Sequence, residues 1–267
     1  YDWLHLHHED FTGQYGKFYK NYRNAKWYKK MEYDFGLTAQ KYGFKSVHEL
    51  KKGIALKIKK YVVNGGFIFA MCSATDSFDI ALSAINIDIA DKVFDNTPIE
   101  NGYAGKLNFN NSLAFENFQL YTNPMIYEYS SIDIPPSHKP SIRSAEADYF
   151  TLFEFSAKWD PIPTMLTQNH VAVINGFMGQ TTAFNRNNLK KHVVIMAEVP
   201  NHDMVKYIHG NIGNGTFTFL GGHDPEDYRH LVGDPPTDLS LHKNSPGYRL
   251  ILNNILFPAA RKKERKT

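Results

Sequence analysis

The stretch from Ser46 to Asp76 restricts what this chain can fold into more than any other. Ser46-Val47-His48-Glu49 is a capping box: the serine oxygen accepts the amide three residues on, and the glutamate reaches back. Val47, Leu50, Ile54 and Ile58 recur at helical spacing, which predicts a helix to about Val63, stopped by Asn64-Gly65-Gly66. Phe67-Ile68-Phe69-Ala70-Met71 is an unbroken apolar run too short for a helix, so it reads as a strand buried on both faces. Cys72-Ser73-Ala74 then turns sharply into another helix, with Thr75 or Asp76 as its expected cap and its end near Ile85. This alternation of helix and buried strand confines the chain to an α/β architecture, a parallel sheet with helices on both faces. It also lifts the residue at the strand-to-helix turn to the carboxyl edge of the sheet, where such folds bind ligands.

The flanks fill in the architecture. Tyr1–Leu6 alternates and is aromatic, as in a strand; His7–Gly16 is a polar loop; Tyr15–Met31 is aromatic, basic and helical in part. Residues 91–147 lose helical period and become rich in Asn, Pro, Tyr and Phe, with Asn101-Gly102 as a hairpin signal. They are expected to form an insertion of short strands and loops that roofs the sheet edge. Strands are expected again at Tyr149–Phe155, Val171–Ile174, His192–Val199 and Gly215–Leu220. Ser245-Pro246 opens a last helix, with Leu250, Ile251, Asn254 and Ile255 as its stripe and its end near Pro258. Residues 1–267 are thus expected to form one α/β domain with an insertion and a basic tail at 261–267.

Composition removes several classes of function. The formal net charge of +3 owes much to that tail, so no nucleic-acid footprint is expected. No apolar run reaches membrane-spanning length and no signal peptide is visible; the chain starts without methionine, so the compartment stays open. A single cysteine excludes an intrachain disulfide and any zinc site built on several cysteines.

That cysteine, Cys72, stands where the strand-to-helix turn would present a nucleophile, with the small residues Ala70 and Ala74 on either side. A lone cysteine is more often a small buried hydrophobe, and only the turn raises the functional reading to parity. The run Gly221-Gly222-His223-Asp224-Pro225-Glu226 follows another strand and can bring a base and a carboxylate to the same edge. His5, His7, His8, Glu9 and Asp10 admit a metal reading, since two histidines and a carboxylate suit zinc or iron. The preferred reading is a polar strand end lining the cleft and touching substrate, with no metal and no cofactor expected. Gly176–Phe184 is a loop of small and polar residues that either meets a ligand or forms a tight turn.

Gly215–Tyr228 resembles the closing strand and turn of the ThuA-like (trehalose-utilisation-like) proteins, members of the class I glutamine amidotransferase-like superfamily; Tyr248–Ala260 is similar to their last helix and Asn64–Ala74 to the superfamily's elbow strand. Asp2–Gln14 resembles a run in a bacterial family often labelled "asparagine synthetase B", where it lies well inside the chain, so upstream strands are expected to be absent here. The resemblance implies a flavodoxin-like sheet and a glutaminase-type amidase or hydrolase acting on a small molecule. Cys72 would be its nucleophile, His223 its base, and Glu226 or Asp224 the carboxylate that orients the base. It further implies that Ser73 supplies an oxyanion donor, and that Gly222, His7, His8, Glu9 and Asp10 line the substrate site. Two departures stand out: alanines replace both elbow glycines, and one residue is inserted between His223 and Pro225. The rival expectation is a non-catalytic ThuA-like binding or scaffold module, oligomeric or part of a larger assembly.

Overall fold

The computed structural model describes residues 2–134, 149–152, 171–175, 177–226 and 234–256. In chain order the elements are β1 (Leu4–His7), α1 (Tyr19–Tyr22), α2 (Lys26–Lys41), α3 (Val47–Val63), β2 (Phe67–Met71), α4 (Ser73–Ser83), α5 (Lys92–Asp95), β3 (Tyr149–Leu152), β4 (Val173–Asn175), β5 (Phe184–Asn185), β6 (Val194–Glu198), β7 (Met204–Ile212), β8 (Gly215–Leu220) and α6 (Pro246–Asn253). The expected tail at 261–267, the end of the last helix, residues 135–147 of the insertion, Phe153–Phe155, Gly176 and Tyr228 lie outside the described residues.

The architecture is mixed α/β. Among the described residues eight strands form one sheet in the order β1-β2-β8-β7-β6-β3-β4, with β5 paired to β7. Strands β1, β2 and β8 pair parallel with one another; from β8 onward β7, β6, β3 and β4 continue the sheet antiparallel. The expectation of a parallel sheet therefore holds across three strands. The longest strand not expected from sequence is β7, whose Lys206, His209, Gly210 and Asn211 interrupt the apolar pattern that marks a strand; the short β5 and α5 are not expected either. Strand β7 is nonetheless a central strand, flanked by β8 and β6, with Met204 to Gly210 all buried.

Both sheet faces are covered, as alternation along β2 requires. Ile68 and Ala70 point into a core shared with Ala55 and Val62 of α3 and with Phe78, Ala81 and Leu82 of α4. Phe67, Phe69 and Met71 point the other way, into a core with Tyr207, Leu220 and Leu250 of α6. Every β2 side chain is buried, and each of the larger ones contributes about 1.5–3 kcal/mol through that burial. A charge at Ile68, which is fully buried, would therefore disrupt α3 and α4 together.

The helix signals hold where capping carries them. Ser46 Oγ accepts the Glu49 amide at 3.2 Å, and Ser245 Oγ accepts that of Tyr248 at 3.2 Å, with Pro246 opening α6. Glu49 reaches back to the Lys45 amide, one residue beyond the expected cap. Ile54 of α3 is exposed; Ala55 and Val62 take the buried positions instead, because the buried stripe drifts around the helix. The expected hairpin at Asn101-Gly102 does not form. Gly102 has φ +71° and leads into a single 3-10 turn, and among the described residues 91–134 hold one short helix, 3-10 turns and isolated bridges. Asp79 anchors this segment: its carboxylate accepts the amides of Leu113, Ala114 and Phe115 at 2.7, 2.7 and 2.9 Å.

Candidate functional site

Three parallel strands end in step. His7, Met71 and Leu220 are aligned partners across β1, β2 and β8, so the next residues of each strand emerge together at the carboxyl edge. Those residues are His8, Cys72 and the Gly221-Gly222-His223 turn. Parallel pairing alone thus gathers three chemically active segments that lie far apart in sequence.

Cys72 occupies a sharp elbow. Its amide still belongs to the sheet, donating to the Leu220 carbonyl at 3.1 Å, while its own carbonyl accepts the Thr75 amide at 3.1 Å and the Thr75 hydroxyl at 2.6 Å. The backbone in between is held at φ +54°, ψ −137°, a region that costs a non-glycine residue about 1–3 kcal/mol. Helix α4 begins at Ser73, so Thr75 and Asp76 lie inside it and not at its cap as expected; Cys72 itself is the cap residue. The positive end of the helix is accordingly placed directly beside the cysteine.

The loop before β5 closes over the sulfur. The Gln180 amide donates to Cys72 Sγ at 3.1 Å, and the Gln180 side-chain amide donates to the carbonyls of Gly16 and Tyr127. Thr181 Oγ1 donates to Asp76 Oδ1 at 2.9 Å, the Thr182 amide to Asp133 Oδ1 at 3.3 Å, and the Gly222 amide to the Thr181 carbonyl at 2.7 Å. The loop also closes on itself, the Thr182 hydroxyl donating to the Gly179 carbonyl at 2.8 Å. Gly179 is obligatory: a Cβ there would sit 2.8 Å from Cys72 Sγ and 2.9 Å from His223 Cδ2. The sulfur and the His223 ring are thus neighbours across a single glycine. Gly222 has φ +81°, and a Cβ on it would meet the Phe177 carbonyl oxygen at 1.2 Å, so only glycine can carry the chain to His223.

The remaining expected residues separate by environment. Asp224 acts electrostatically on His7; its carboxylate accepts the Thr237 hydroxyl at 2.8 Å and the Tyr248 hydroxyl at 2.5 Å. Glu226 places its carboxylate 3.5 Å from His242 Nδ1. Asp10 holds its own loop together, accepting the Thr12 amide and hydroxyl and the Gly16 amide. Glu9 gives its carbonyl to the Ser77 hydroxyl at 3.0 Å, and burial raises the pKa of its carboxyl. Ser73 is buried at the first turn of α4.

Asp76, one turn into α4, is a fully buried member of the site that the sequence presented only as a helix cap. Burial, the nearby Asp133 carboxylate and Cys72 push its pKa well above the usual carboxylate range, although the Thr181 and Ser77 hydrogen bonds oppose this. Its Oδ2 is buried without a hydrogen-bond partner. No pattern of spacing would have singled it out, since an acidic residue in a first helical turn is commonplace.

His7, His8 and His223 form a ring cluster. The His7 and His8 centroids are 4.2 Å apart, those of His8 and His223 also 4.2 Å, and those of His7 and His223 5.7 Å. His8 reaches this position from a left-handed backbone, φ +59°. Although both rings reach solvent, desolvation by the surrounding protein, with the neighbouring His8 and His5, lowers the pKa of His7, opposed by Asp224; desolvation also lowers that of His8. Because the strand ends at His7 and His8 is left-handed, the strand's alternation does not govern His8. At the opposite edge, an open hollow of about 400 Å³ lies between Asn110, Ser112, Lys190, His192 and Gly213.

No helix among the described residues is long and apolar enough to cross a membrane. In comparisons with known proteins, the chain matches no protein-family model and no curated protein sequence.

Proposed function

We propose that the protein is a cysteine-dependent amidohydrolase of the glutamine amidotransferase-like, flavodoxin-like kind, acting on a small carboxamide. The observation that carries this reading is the strained elbow of Cys72 with His223 one glycine away. A nucleophile needs a backbone that lifts it from the sheet, a base within reach and a carboxylate near that base. His223 takes the thiol proton, and the thiolate attacks the carboxamide carbon to give a tetrahedral adduct. The proton then passes to the departing ammonia as the carbon–nitrogen bond breaks, leaving a thioester that water hydrolyses with the same histidine as base. The Gln180 amide, now on the sulfur, and the α4 N-terminus both favour the thiolate. Asp224 is better placed than Glu226 to orient the histidines, because it acts electrostatically on His7 and is fixed by Tyr248 and Thr237.

The test is ammonia release from glutamine and related carboxamides. Cys72→Ala and His223→Ala should each lower turnover by at least about 10³-fold, with Asp224→Asn lowering it less. Unchanged turnover in Cys72→Ala would remove the nucleophile assignment. A second reading, a non-catalytic binding module, is favoured by the complete burial of Cys72. It requires that Cys72 react with iodoacetamide no faster than a free thiol near neutral pH, and that Cys72→Ala retain ligand binding.

A further inference from the structure

We infer that His7, His8 and His223 form a binding site for one divalent cation of the zinc class. One ligating atom from each of the three lies within 4.8 Å of those from the other two. Tetrahedral zinc with bonds of about 2.0–2.1 Å to imidazole nitrogen sets such atoms about 3.3 Å apart. The cluster therefore needs closing by at most about 1.5 Å, within reach of side-chain rotation at His7 and His8, whose rings reach solvent.

The backbone supports this use. His8 is held at φ +59°, an uncommon conformation for a non-glycine residue, and that conformation is what brings its ring against His223. Gly222, which tolerates no side chain, brings in the third ring from β8. Two strand ends and two left-handed residues thus converge on one point. Three neutral imidazoles suit zinc, copper, iron and nickel; three protein ligands on zinc leave a fourth position for water or a ligand. Asp224, anchored by Tyr248 and Thr237, acts electrostatically on His7 as an outer partner of the cluster.

The inference stands apart from the cysteine mechanism, and the two make opposing demands on His223. A histidine that holds a metal has no lone pair left to accept a thiol proton. Loading the site therefore withdraws the base from Cys72.

The test uses the whole chain, stripped with chelator and titrated with Zn²⁺ by calorimetry and with Co²⁺ by visible absorption. One ion per chain is expected. His7→Ala, His223→Ala and His8→Asn, the last chosen because asparagine tolerates the left-handed backbone, should each weaken binding by about 100-fold or more. His5→Ala and Cys72→Ala should bind as the parent does. Far-UV circular dichroism of each variant checks that it folds, and three folded histidine variants with parental affinity would overturn the site. So would the absence of stoichiometric binding in the parent, or a thiolate-to-cobalt band that Cys72→Ala abolishes, since that band makes the cysteine a ligand. None of these readouts depends on turnover, so this inference and the proposed reaction can fail separately.

Discussion

Cys72 reverses the usual ranking of glycine and alanine. At most positions glycine is the less stable choice, because it gives up more backbone freedom on folding. At φ +54°, ψ −137° the strain falls on any residue with a Cβ. Cys72→Gly is therefore expected to be more stable than Cys72→Ala by about 1 kcal/mol, read as a difference in urea midpoint; the opposite order would mean that the elbow is not strained. Asp76 offers a second contrast. Its raised pKa keeps the buried carboxyl protonated well above the normal range. Asp76→Asn retains the acceptor for Thr181 and Ser77 and should change stability by less than about 1 kcal/mol. Asp76→Ala strands both donors and should cost about 1–3 kcal/mol in the same measurement.

Elements show how far the sequence could be read. Helix α3, strand β2 and helix α6 were legible because their signals are local: a serine cap with its amide, a glycine stop, an apolar run. Strand β7 was not, because Lys206 and His209 look like surface residues until the neighbouring strands and Thr218 surround them. Cys72, His223 and the His7–His8 pair were legible as candidates from their places at predicted strand ends. Gln180 and Thr181 were legible only as part of a small-residue loop and Asp76 only as a helix cap; they join the site through contacts spanning about a hundred residues, which no local pattern encodes. The clamp from α4 to the 113–115 segment belongs to the same class. Asp79→Ala would leave three buried amides without their acceptor, and a loss of at least about 3 kcal/mol is expected in urea unfolding. A loss below about 1 kcal/mol would mean that water or a rearranged loop replaces the carboxylate.

At the scale of the whole molecule, acid sensitivity follows from burial. His209 sits in β7 opposite Thr218 of β8, its Nδ1 2.9 Å from that hydroxyl, and burial lowers its pKa from 6.5 to about 3. Between those values the unfolded chain binds a proton that the folded one refuses, so stability falls as pH drops from 6.5 towards 3. Asp76 and Asp79, with raised pKa values, act in the opposite sense: they favour the folded state at low pH and lose that advantage as pH rises above 3.8. The two contributions overlap, and a variant isolates one. His209→Gln should flatten the acid limb by up to about 1.4 kcal/mol per pH unit, measured from urea midpoints between pH 4 and 7. An unchanged slope would show that other groups govern that limb.

The pairing of β2 with β8 also has a consequence in time. Residues 67–71 leave the ribosome long before residues 215–220, at intervals of roughly 7–30 s for ordinary synthesis rates. During that interval β2, apolar on both faces, has β1 on one side and an unpaired edge on the other. The strand that delivers the cysteine is therefore an adhesive segment of the nascent chain, and the site at its tip is assembled only when the loop at 179–182 and the turn at 221–223 arrive.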